Sequence, residues 1–464
     1  MTNSFAWLLA VPALGLAGCL TLAPDYERPA APTPAEWPAT AAETVAESPE
    51  NLIAWNEFFA DSKLQAVIEL ALTNNRDLRI AALNIEKAQA LYGVQRADLL
   101  PSIKATGAGS KQRTPASLSS SGAAMESERY EVSLGFAAYE LDLFGRVRSL
   151  NAQALERFLA TEQAQHGARI SIVASVANAY LALAADRESL RLARETLDAQ
   201  QAATDLIRRR FDVGDASEID LRQSEMSVES ARVDIARYAG QVAVSENALA
   251  LLVGAPIPAE LLPTDLGSIA AIPELAAGTP SDVLQRRPDI LQAENTLKAA
   301  NANIGAARAA FFPRIALTAG YGTASDDLSG LFKGGSEIWN FVPSITLPIF
   351  EAGRNRANLR IAQADRDIAV AQYEKTIQTA FREVADTLAL RRTLVDQLTA
   401  QEALVKAAQA TYRLAEERYK SGVDSQLAVL DAQRSYYGAQ QGLVALRLAQ
   451  LANRLTLYKA LGGG

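Results

Sequence analysis

The sequence predicts a mainly α-helical protein with a β-barrel portion, in which one arrangement of helices and strands occurs twice. Three observations support this prediction. Apolar residues recur every seven positions in two long stretches, the second stretch repeats the first at a shift of 208 residues, and four short segments alternate apolar and polar residues. Seven-residue spacing is typical of helices that pack along their length, and alternation is typical of strands with one apolar face.

Two long helices carry the seven-residue spacing. The recurring positions are Leu183, Leu190, Leu197, Thr204 and Phe211 in the first, and Ile377, Val384, Arg391, Leu398, Val405, Tyr412 and Tyr419 in the second. We predict helices over Arg146–Arg210 and Arg354–Arg418. At ~1.5 Å per residue each would be about 100 Å long. Few globular domains have room for such a helix, so these helices must span a distance.

Each long helix ends in a tight turn that contains a glycine. Gly214 and Gly422 interrupt the helical pattern where the chain reverses, so we expect a positive φ at both. Ser217 and Ser425 suit the N-cap of the returning helices, predicted over Ser217–Val253 and Ser425–Leu461. These returning helices should stack end to end on the shorter helices described next.

The remaining elements also occur in pairs. In the first half we predict a helix over Lys63–Leu99, a strand from Ile103, a loop over Lys111–Glu128 and a strand over Tyr130–Leu143. The second half should repeat this with a helix over Asp289–Phe312, a strand from Ile315, a loop over Thr323–Glu337 and a strand from Trp339 to Ile349. The domain prediction is a first repeat over 63–260, a link over 261–280 and a second repeat over 281–464.

The first residues predict a secreted, lipid-anchored chain. Residues 1–18 have the apolar core of a signal peptide, and Leu16-Ala17-Gly18-Cys19 resembles a bacterial lipobox. We therefore predict a lipid on Cys19, followed by a proline-rich tether over 19–62. The alternative is an uncleaved segment with a free or buried cysteine. We find no uninterrupted apolar stretch of about 18 residues after Cys19, so we predict no transmembrane helix.

The four strands have the length and alternation of membrane-spanning strands. Strands of about 9–11 residues cross a bilayer when tilted, and an apolar face opposite a polar face suits lipid outside and water inside. Four strands cannot close a barrel, and lipid cannot satisfy a free edge. The chain must therefore oligomerise. The alternative is that the strands face an ordinary protein core.

Composition and motifs argue against other classes. Asp and Glu number 53 against 45 Lys and Arg, and a net charge of −8 lacks the basic footprint of a nucleic-acid-binding protein. The single histidine, His166, and the absence of hydrolase, zinc-protease, CxxC and Walker motifs predict no enzyme, no metal and no cofactor beyond the lipid on Cys19.

The chain resembles the TolC-like outer-membrane efflux family, in the lipoprotein branch similar to OprM and NodT-type proteins. The residues that carry the resemblance are Leu16-Ala17-Gly18-Cys19, Tyr139-Glu140-Leu141-Asp142-Leu143-Phe144-Gly145-Arg146, Arg286-Arg287-Pro288-Asp289, Leu347-Pro348-Ile349-Phe350, Leu430-Asp431-Ala432-Gln433, both glycine turns and the C-terminal Leu457–Gly464. The resemblance implies a homotrimer with a twelve-stranded outer-membrane barrel above a periplasmic helical barrel.

The same resemblance implies a function. The protein would be the exit duct of a tripartite efflux pump, docked to a periplasmic adaptor and an inner-membrane transporter, and would passively conduct drugs or other small solutes. The alternative functions are a coiled-coil periplasmic structural lipoprotein and an adaptor. Neither alternative needs four amphipathic strands.

Two groups of residues near the turns are candidate sites. We expect the adaptor to dock at Val213, Gly214, Asp215, Ser217, Ser421, Gly422, Val423 and Ser425. We expect the pore to be constricted by Asp424, Asp431, Asp220, Tyr419 and Phe211. Helix-dipole complementation alone would explain Asp215 and Asp424. It explains Asp220 and Asp431 less well, because both should lie beyond the first helical turn.

Overall fold

The computed structural model describes residues 21–37, 54–275 and 286–463, so the predicted signal peptide and Cys19 lie outside the described residues. Contacts divide the chain into two compact units. The first contains Met1–Ala30, Asn84–Glu162 and Gln292–Glu374, and the second contains Ala31–Leu83, Gln163–Leu291 and Lys375–Gly464. Each unit draws segments from both halves of the sequence.

The described elements follow the predicted order of helix, two strands, long helix and returning helix in each half. The helices are α1 Trp55–Phe58, α2 Ser62–Asn74, α3 Arg76–Ala97, α4 Arg146–Asp212, α5 Glu218–Val253, α6 Pro288–Ala309, α7 Arg354–Lys420 and α8 Gln426–Ala460. The strands are β1 Lys104–Thr114, β2 Met125–Leu141, β3 Arg314–Ser325 and β4 Glu337–Thr346. Both long helices, α4 and α7, have 67 residues and begin at the predicted arginines.

The predicted single helix over Lys63–Leu99 is wrong, because Asn75 divides it into α2 and α3. Asn75 has extended backbone angles, φ −61° and ψ 132°. Its backbone N–H donates to Ala71 at the end of α2. Its side-chain oxygen accepts from Asp77 N at 2.9 Å and Leu78 N at 3.0 Å at the start of α3. One asparagine therefore ends one helix and caps the next.

The end-to-end stacking of the shorter helices is confirmed in the second unit. Asn75 Nδ2 donates to the Leu252 carbonyl at 2.7 Å, which joins α5 to α3. Gly254, at φ 73°, closes α5 so tightly that a Cβ there would lie 2.6 Å from the Asn74 carbonyl oxygen. At the other junction Arg287 Nη1 donates to the Ala460 carbonyl at 2.8 Å and joins α8 to α6.

The four strands form one antiparallel sheet in the first unit, in the order β1-β2-β3-β4. A bulge between Phe136 and Tyr139 shifts the β2–β3 register, and Ala138 within it takes φ 53°. Gly135 faces the neighbouring backbone so closely that a Cβ would lie 2.2 Å from Ala319 O. Within the described residues β1 and β4 each pair on one side only, so they are the two edges of the sheet.

Several predicted strand boundaries are wrong. The loop predicted over Thr323–Glu337 is shorter, because β3 continues to Ser325 and Thr323 pairs with Glu337 at the start of β4. Lys111–Glu128 is not a loop, because Lys111 pairs with Glu128 and the ladder continues to Thr114 and Met125. The polar composition misled here, since both faces of these segments are exposed and neither needs apolar residues. Strand β4 ends at Thr346, before the predicted Ile349. Pro348 lies in the segment lost from the strand and has no N–H to donate to a ladder.

One face of the sheet carries exposed apolar side chains. Leu134, Tyr321 and Trp339 are cross-strand partners on β2, β3 and β4, and they are 58, 61 and 78% exposed. Phe341 and Ile345 continue this face along β4 at 57 and 70% exposure. Cross-strand partners project on the same side of a sheet. The apolar face is therefore continuous across three strands, which suits contact with lipid.

The core of the second unit lies against the middle of α4. Val176 and Tyr180 of α4 pack with Phe58, Phe59 and Leu64, and all five are at most 1% exposed. By length and composition, α4 contains a segment apolar enough to cross a membrane, although 56% of that segment is buried inside the protein. This segment was not recognised in the sequence. Its burial is that of a core helix.

Candidate functional site

Both helical turns have the same backbone geometry. At the first turn Asp215 N donates to Arg210 O at 2.7 Å and Gly214 N donates to Phe211 O at 2.9 Å, with Gly214 at φ 82°. At the second turn Val423 N donates to Arg418 O at 2.9 Å and Gly422 N donates to Tyr419 O at 3.0 Å. Each pair of bonds closes a helix by a Schellman motif. The positive φ predicted for the two glycines is confirmed.

The two returning helices begin differently. Ser217 and Asp220 form a capping box, in which Asp220 N donates to Ser217 Oγ at 3.2 Å and Ser217 N donates to Asp220 Oδ2 at 3.2 Å. Ser425 has the same extended backbone as Ser217, but its side chain accepts no capping hydrogen bond. Asp220 therefore lies within the first turn, contrary to the prediction, because its carboxylate is part of the cap. Its gate role stays a prediction.

An arginine stabilises each turn through an aspartate. Arg210 Nε donates to Asp215 Oδ2 at 2.9 Å, and Arg418 donates to both carboxylate oxygens of Asp424 at 2.6 and 3.0 Å. The hydrogen bond from Arg418 holds the pKa of Asp424 below its ordinary value. Asp424 therefore carries its negative charge at neutral pH with a cation beside it.

The two turns of one chain are joined by Arg210 and Tyr419. Arg210 Nη1 donates to the Tyr419 hydroxyl at 2.9 Å, and the guanidinium carbon lies 5.4 Å from the centre of the tyrosine ring. The hydrogen bond to Asp215 is the largest cause that raises the pKa of Arg210, so it remains a cation. Tyr419 thus contacts the other hairpin of its own chain.

The remaining candidate residues lie apart from this contact. Asp431 is exposed and forms a 3.6 Å ion pair with Arg434. Phe211 is 38% exposed, and Val213 and Val423 are 80 and 61% exposed. Ser421 Oγ donates back into α7, to the Glu417 carbonyl at 3.0 Å. The structure places all of these candidates at the two turns or in the adjoining helix ends, and their roles in docking and gating stay predictions.

Sequence reasoning missed the polar contacts that join α5 to α8 further from the turns. The Tyr437 hydroxyl donates to Asp234 Oδ2 at 3.2 Å, and Gln441 Nε2 donates to the Tyr238 hydroxyl at 3.0 Å. Both contacts link residues 203 positions apart in the sequence. It also missed Arg210 and Arg418. Their equivalence at the 208-residue shift was a signal that could have identified them.

Comparison with known proteins gives one consistent result. A family model described as "Outer membrane efflux protein" matches residues 67–255 and 279–463. The "Toluene efflux pump outer membrane protein TtgC" and the "Antibiotic efflux pump outer membrane protein ArpC", both of Pseudomonas putida, are each 52% identical over 462 residues, covering 98% of this chain and 95% of the relative.

A solved structure agrees with these matches. The structure titled as the open state of the Neisseria gonorrhoeae MtrE outer membrane channel superposes with a TM-score of 0.88 at 40% identity, covering 96% of this chain and 98% of that one. The described helices and strands are therefore arranged as in an experimentally determined channel protomer.

Proposed function

The chain belongs to the outer membrane efflux protein family and is an outer-membrane exit duct of tripartite efflux pumps. We propose that it forms this duct as a homotrimer and that toxic small molecules pass through it chemically unchanged. The family consists of channels rather than enzymes. The observation that carries the trimer is the sheet, with its continuous apolar face and two edges.

Assembly satisfies both features of this sheet. Edge strands in lipid leave unpaired backbone groups, each costing several kcal/mol, so β1 of one copy must pair with β4 of the next. Three copies of four strands give the twelve-stranded barrel. The two faces of β4 would then contact different environments, lipid on one side and water on the other. Phe341 would contact lipid, and its neighbour Asn340, on the opposite face, would contact the water-filled lumen.

A pair of adjacent substitutions tests this assembly. Phe341→Lys puts a charge into lipid, at a cost of up to about 2–4 kcal/mol per chain near the bilayer centre. Asn340→Lys puts the same charge into the lumen. We expect the Asn340 variant to give an SDS-resistant, heat-modifiable trimer in the outer-membrane fraction, and the Phe341 variant to lose it. Equal behaviour of the two variants, or a wild-type monomer, would contradict the proposal.

We propose that a lipid on Cys19 anchors the chain beside the barrel. The support comes from residues 21–28, which lie along α6 in the first unit. Arg308 donates to the Leu22 carbonyl at 3.0 Å, Asn301 donates to the Pro24 carbonyl at 2.7 Å, and Arg28 pairs with Glu294 at 2.8 Å. The segment therefore runs antiparallel to α6, with Leu22 beside the end of α6 that leads into β3 and Arg28 nearer its start. Thr21, the first described residue, follows Cys19 closely in the sequence, and the contact of Leu22 at this end of α6 supports an anchor on the membrane side.

Intact mass of the purified protein tests the anchor. We expect a mature chain that begins at Cys19 and carries added acyl groups, and a Cys19→Ala variant without them. The barrel should still retain that variant in the outer membrane, because strands and acyl chains insert independently. A wild-type mass that includes Met1 would exclude processing at this site.

We propose that the periplasmic adaptor docks at the two turns and that an inner-membrane transporter supplies the solute. Val213 and Val423 are exposed apolar residues at the turns, which suits a partner helical hairpin. The solute class follows the relatives, whose names refer to toluene and antibiotics. Deletion of the gene should lower tolerance to such compounds, and a plasmid copy should restore it.

If the protein were instead a periplasmic structural lipoprotein or an adaptor, the apolar face of the sheet would lie in water. Single exposed apolar residues are ordinary, but a continuous exposed patch marks an interface with protein or membrane. Outer-membrane fractionation of the assembled protein separates these alternatives from the duct.

A further inference from the structure

The second unit contains a cleft lined by four arginines. A cavity of about 750 Å³ beside the junction of α2 and α3 is lined by Arg76, Arg79 and Arg169. A second cavity of about 470 Å³ is also lined by Arg169, together with Arg286, His166 and the half-buried Trp55. We call these two adjoining cavities the arginine cleft. Arg169 of α4 is common to both and lies one helical turn before the buried Val173.

Three of the four cleft arginines lack an ion-pair partner among the described residues. Within the described residues, Arg76, Arg79 and Arg169 form no ion pair, and no Asp or Glu lines either cavity. Elsewhere on α4, Arg187 and Arg191 pair with glutamates at 2.6 and 2.7 Å. A chain with a net charge of −8 has ample carboxylates for such pairing. The cleft is therefore a local concentration of cations on an acidic protein.

The internal repeat shows that the fold does not require these arginines. At the 212-residue shift Arg76 corresponds to Pro288 and Arg79 to Leu291. At the 208-residue shift Arg169 corresponds to Ile377, which is 1% exposed. The second half therefore builds its junction between α8 and α6 with no arginine at these three positions. The fold of a half therefore does not depend on arginines at these three positions.

We propose that the arginine cleft binds an acidic saccharide, with the guanidinium groups on its anionic substituents and Trp55 against a sugar ring. Guanidinium groups match the planar oxygens of carboxylates and phosphates and bind them with two parallel hydrogen bonds. Arg76 is held in place through its Nη1, which donates to the Asn74 carbonyl at 2.7 Å. Asn56 and Gln163 line the Trp55 cavity and offer amide groups for sugar hydroxyls.

Two acidic saccharides meet a protein of the outer membrane and periplasm. Peptidoglycan strands carry peptide carboxylates, and lipopolysaccharide carries phosphates on its core sugars. Both present anionic groups on a glycan, which is the chemistry that the arginine cleft fits. The binding experiment therefore uses both, with full-length trimer in detergent and two probes, soluble muropeptides and delipidated lipopolysaccharide core oligosaccharide.

Arg169→Gln and Arg413→Gln form the matched pair for this experiment. Arg413 of α7 is exposed and, within the described residues, has no ion pair, so its replacement removes the same charge from another site. We expect wild type and Arg413→Gln to bind one of the two probes with the same Kd. We expect Arg169→Gln to bind at least fivefold more weakly, because its side chain lines both cavities.

A second variant, Trp55→Leu, tests the saccharide rather than the charge. It should weaken binding of the saccharide probe but leave weak binding of inorganic phosphate or acetate unchanged. Unheated gel migration and circular dichroism confirm that each variant is a folded trimer. The proposal is overturned if wild type binds neither probe, or if Arg169→Gln and Arg413→Gln weaken binding equally. Efflux is not measured, so the outcome is independent of the proposed docking and gating.

Discussion

The Arg210 guanidinium donates a 2.9 Å hydrogen bond to the hydroxyl of Tyr419, and so joins the ends of the two long helices of one chain. These helix ends are 209 residues apart in the sequence. Both residues belong to the last turn of their helices, before the glycine turns. A movement that separates the two hairpins at this end must break this bond. The bond therefore favours one arrangement of the two turns over others.

Replacement of the tyrosine hydroxyl should shift the channel toward an open state. Tyr419→Phe removes the hydrogen bond from Arg210 but keeps the ring, and so destabilises the arrangement that contains this bond by about 1 kcal/mol per chain. This corresponds to about a fivefold change, per chain, in the ratio of this arrangement to the others. Combined with Asp431→Ala, the change should give a larger conductance than wild type in planar bilayers.

Tyr412→Phe is the control for this prediction. Tyr412 lies on the same helix and stacks on Tyr436 with ring centres 6.2 Å apart, away from Arg210. The conductance of the Tyr412→Phe channel should equal that of the wild-type channel. A wild-type channel that is already wide open, or a double variant with unchanged conductance, would place the constriction elsewhere.

The charge of Asp424 should make the pore prefer cations over a wide pH range. Arg418 lowers the pKa of Asp424 in the folded chain. A carboxyl with a lowered pKa stabilises the fold above its unfolded pKa, about 3.9, and loses this contribution as pH falls through the folded value. Reversal potentials in a salt gradient should therefore be equal at pH 7 and pH 5.

Substitutions at Asp424 distinguish its contribution to cation selectivity from that of other carboxylates. Asp424→Ala should weaken the cation preference, and Asp424→Glu should retain it. Selectivity that changes between pH 7 and pH 5 in the wild type would assign the preference to a different titrating group.

A bulky residue at the second turn should prevent docking without preventing assembly. Gly422 has φ 73° and no atom within 4 Å of the position of a Cβ, so a side chain there would project outward. Gly422→Trp should give normal trimer levels and the drug tolerance of a deletion strain. Gly422→Ala imposes the same backbone strain, about 1 kcal/mol, without the bulk. It should retain tolerance, and full tolerance of the tryptophan variant would exclude docking at this turn.

A carboxylate at the junction of sheet and helix should contribute to stability. Glu140 is 10% exposed and accepts hydrogen bonds from Arg146 at 2.8 and 2.7 Å, and it pairs with Arg314 at 2.6 Å. Glu140→Gln should cost about 2 kcal/mol per chain, because hydrogen bonds between charged groups are lost. The trimer should then dissociate at a lower temperature on unheated gels.

Glu131→Gln is the matched control for the junction. Glu131 lies on the same strand and forms a more exposed pair with Arg129 at 2.9 Å. Exposed pairs contribute about 0–1 kcal/mol. Equal dissociation temperatures of the two variants would show that Glu140 has no special role.

The sequence by itself determined the order of elements, the two long helices and the glycine turns. These depend on local signals: apolar spacing, alternation, and glycine at positions where the backbone needs a positive φ. Because each element occurs in both halves, the sequence provides two independent signals for it. The starts of α4 and α7 at Arg146 and Arg354 were both predicted correctly. The Cys19 lipid and the roles of the turns stay predictions.

Only the tertiary structure decided the contacts between distant segments. Asn75 divides a helical sequence because Leu252, far along the chain, accepts its side-chain hydrogen bond. Strands β1 and β2 extend beyond their predicted bounds because their polar ends pair with each other, although these residues lack any periodic signal. The bond between Arg210 and Tyr419 could not be predicted for the same physical reason. Periodicity describes which face of an element is apolar, whereas a hydrogen bond between two elements depends on their packing.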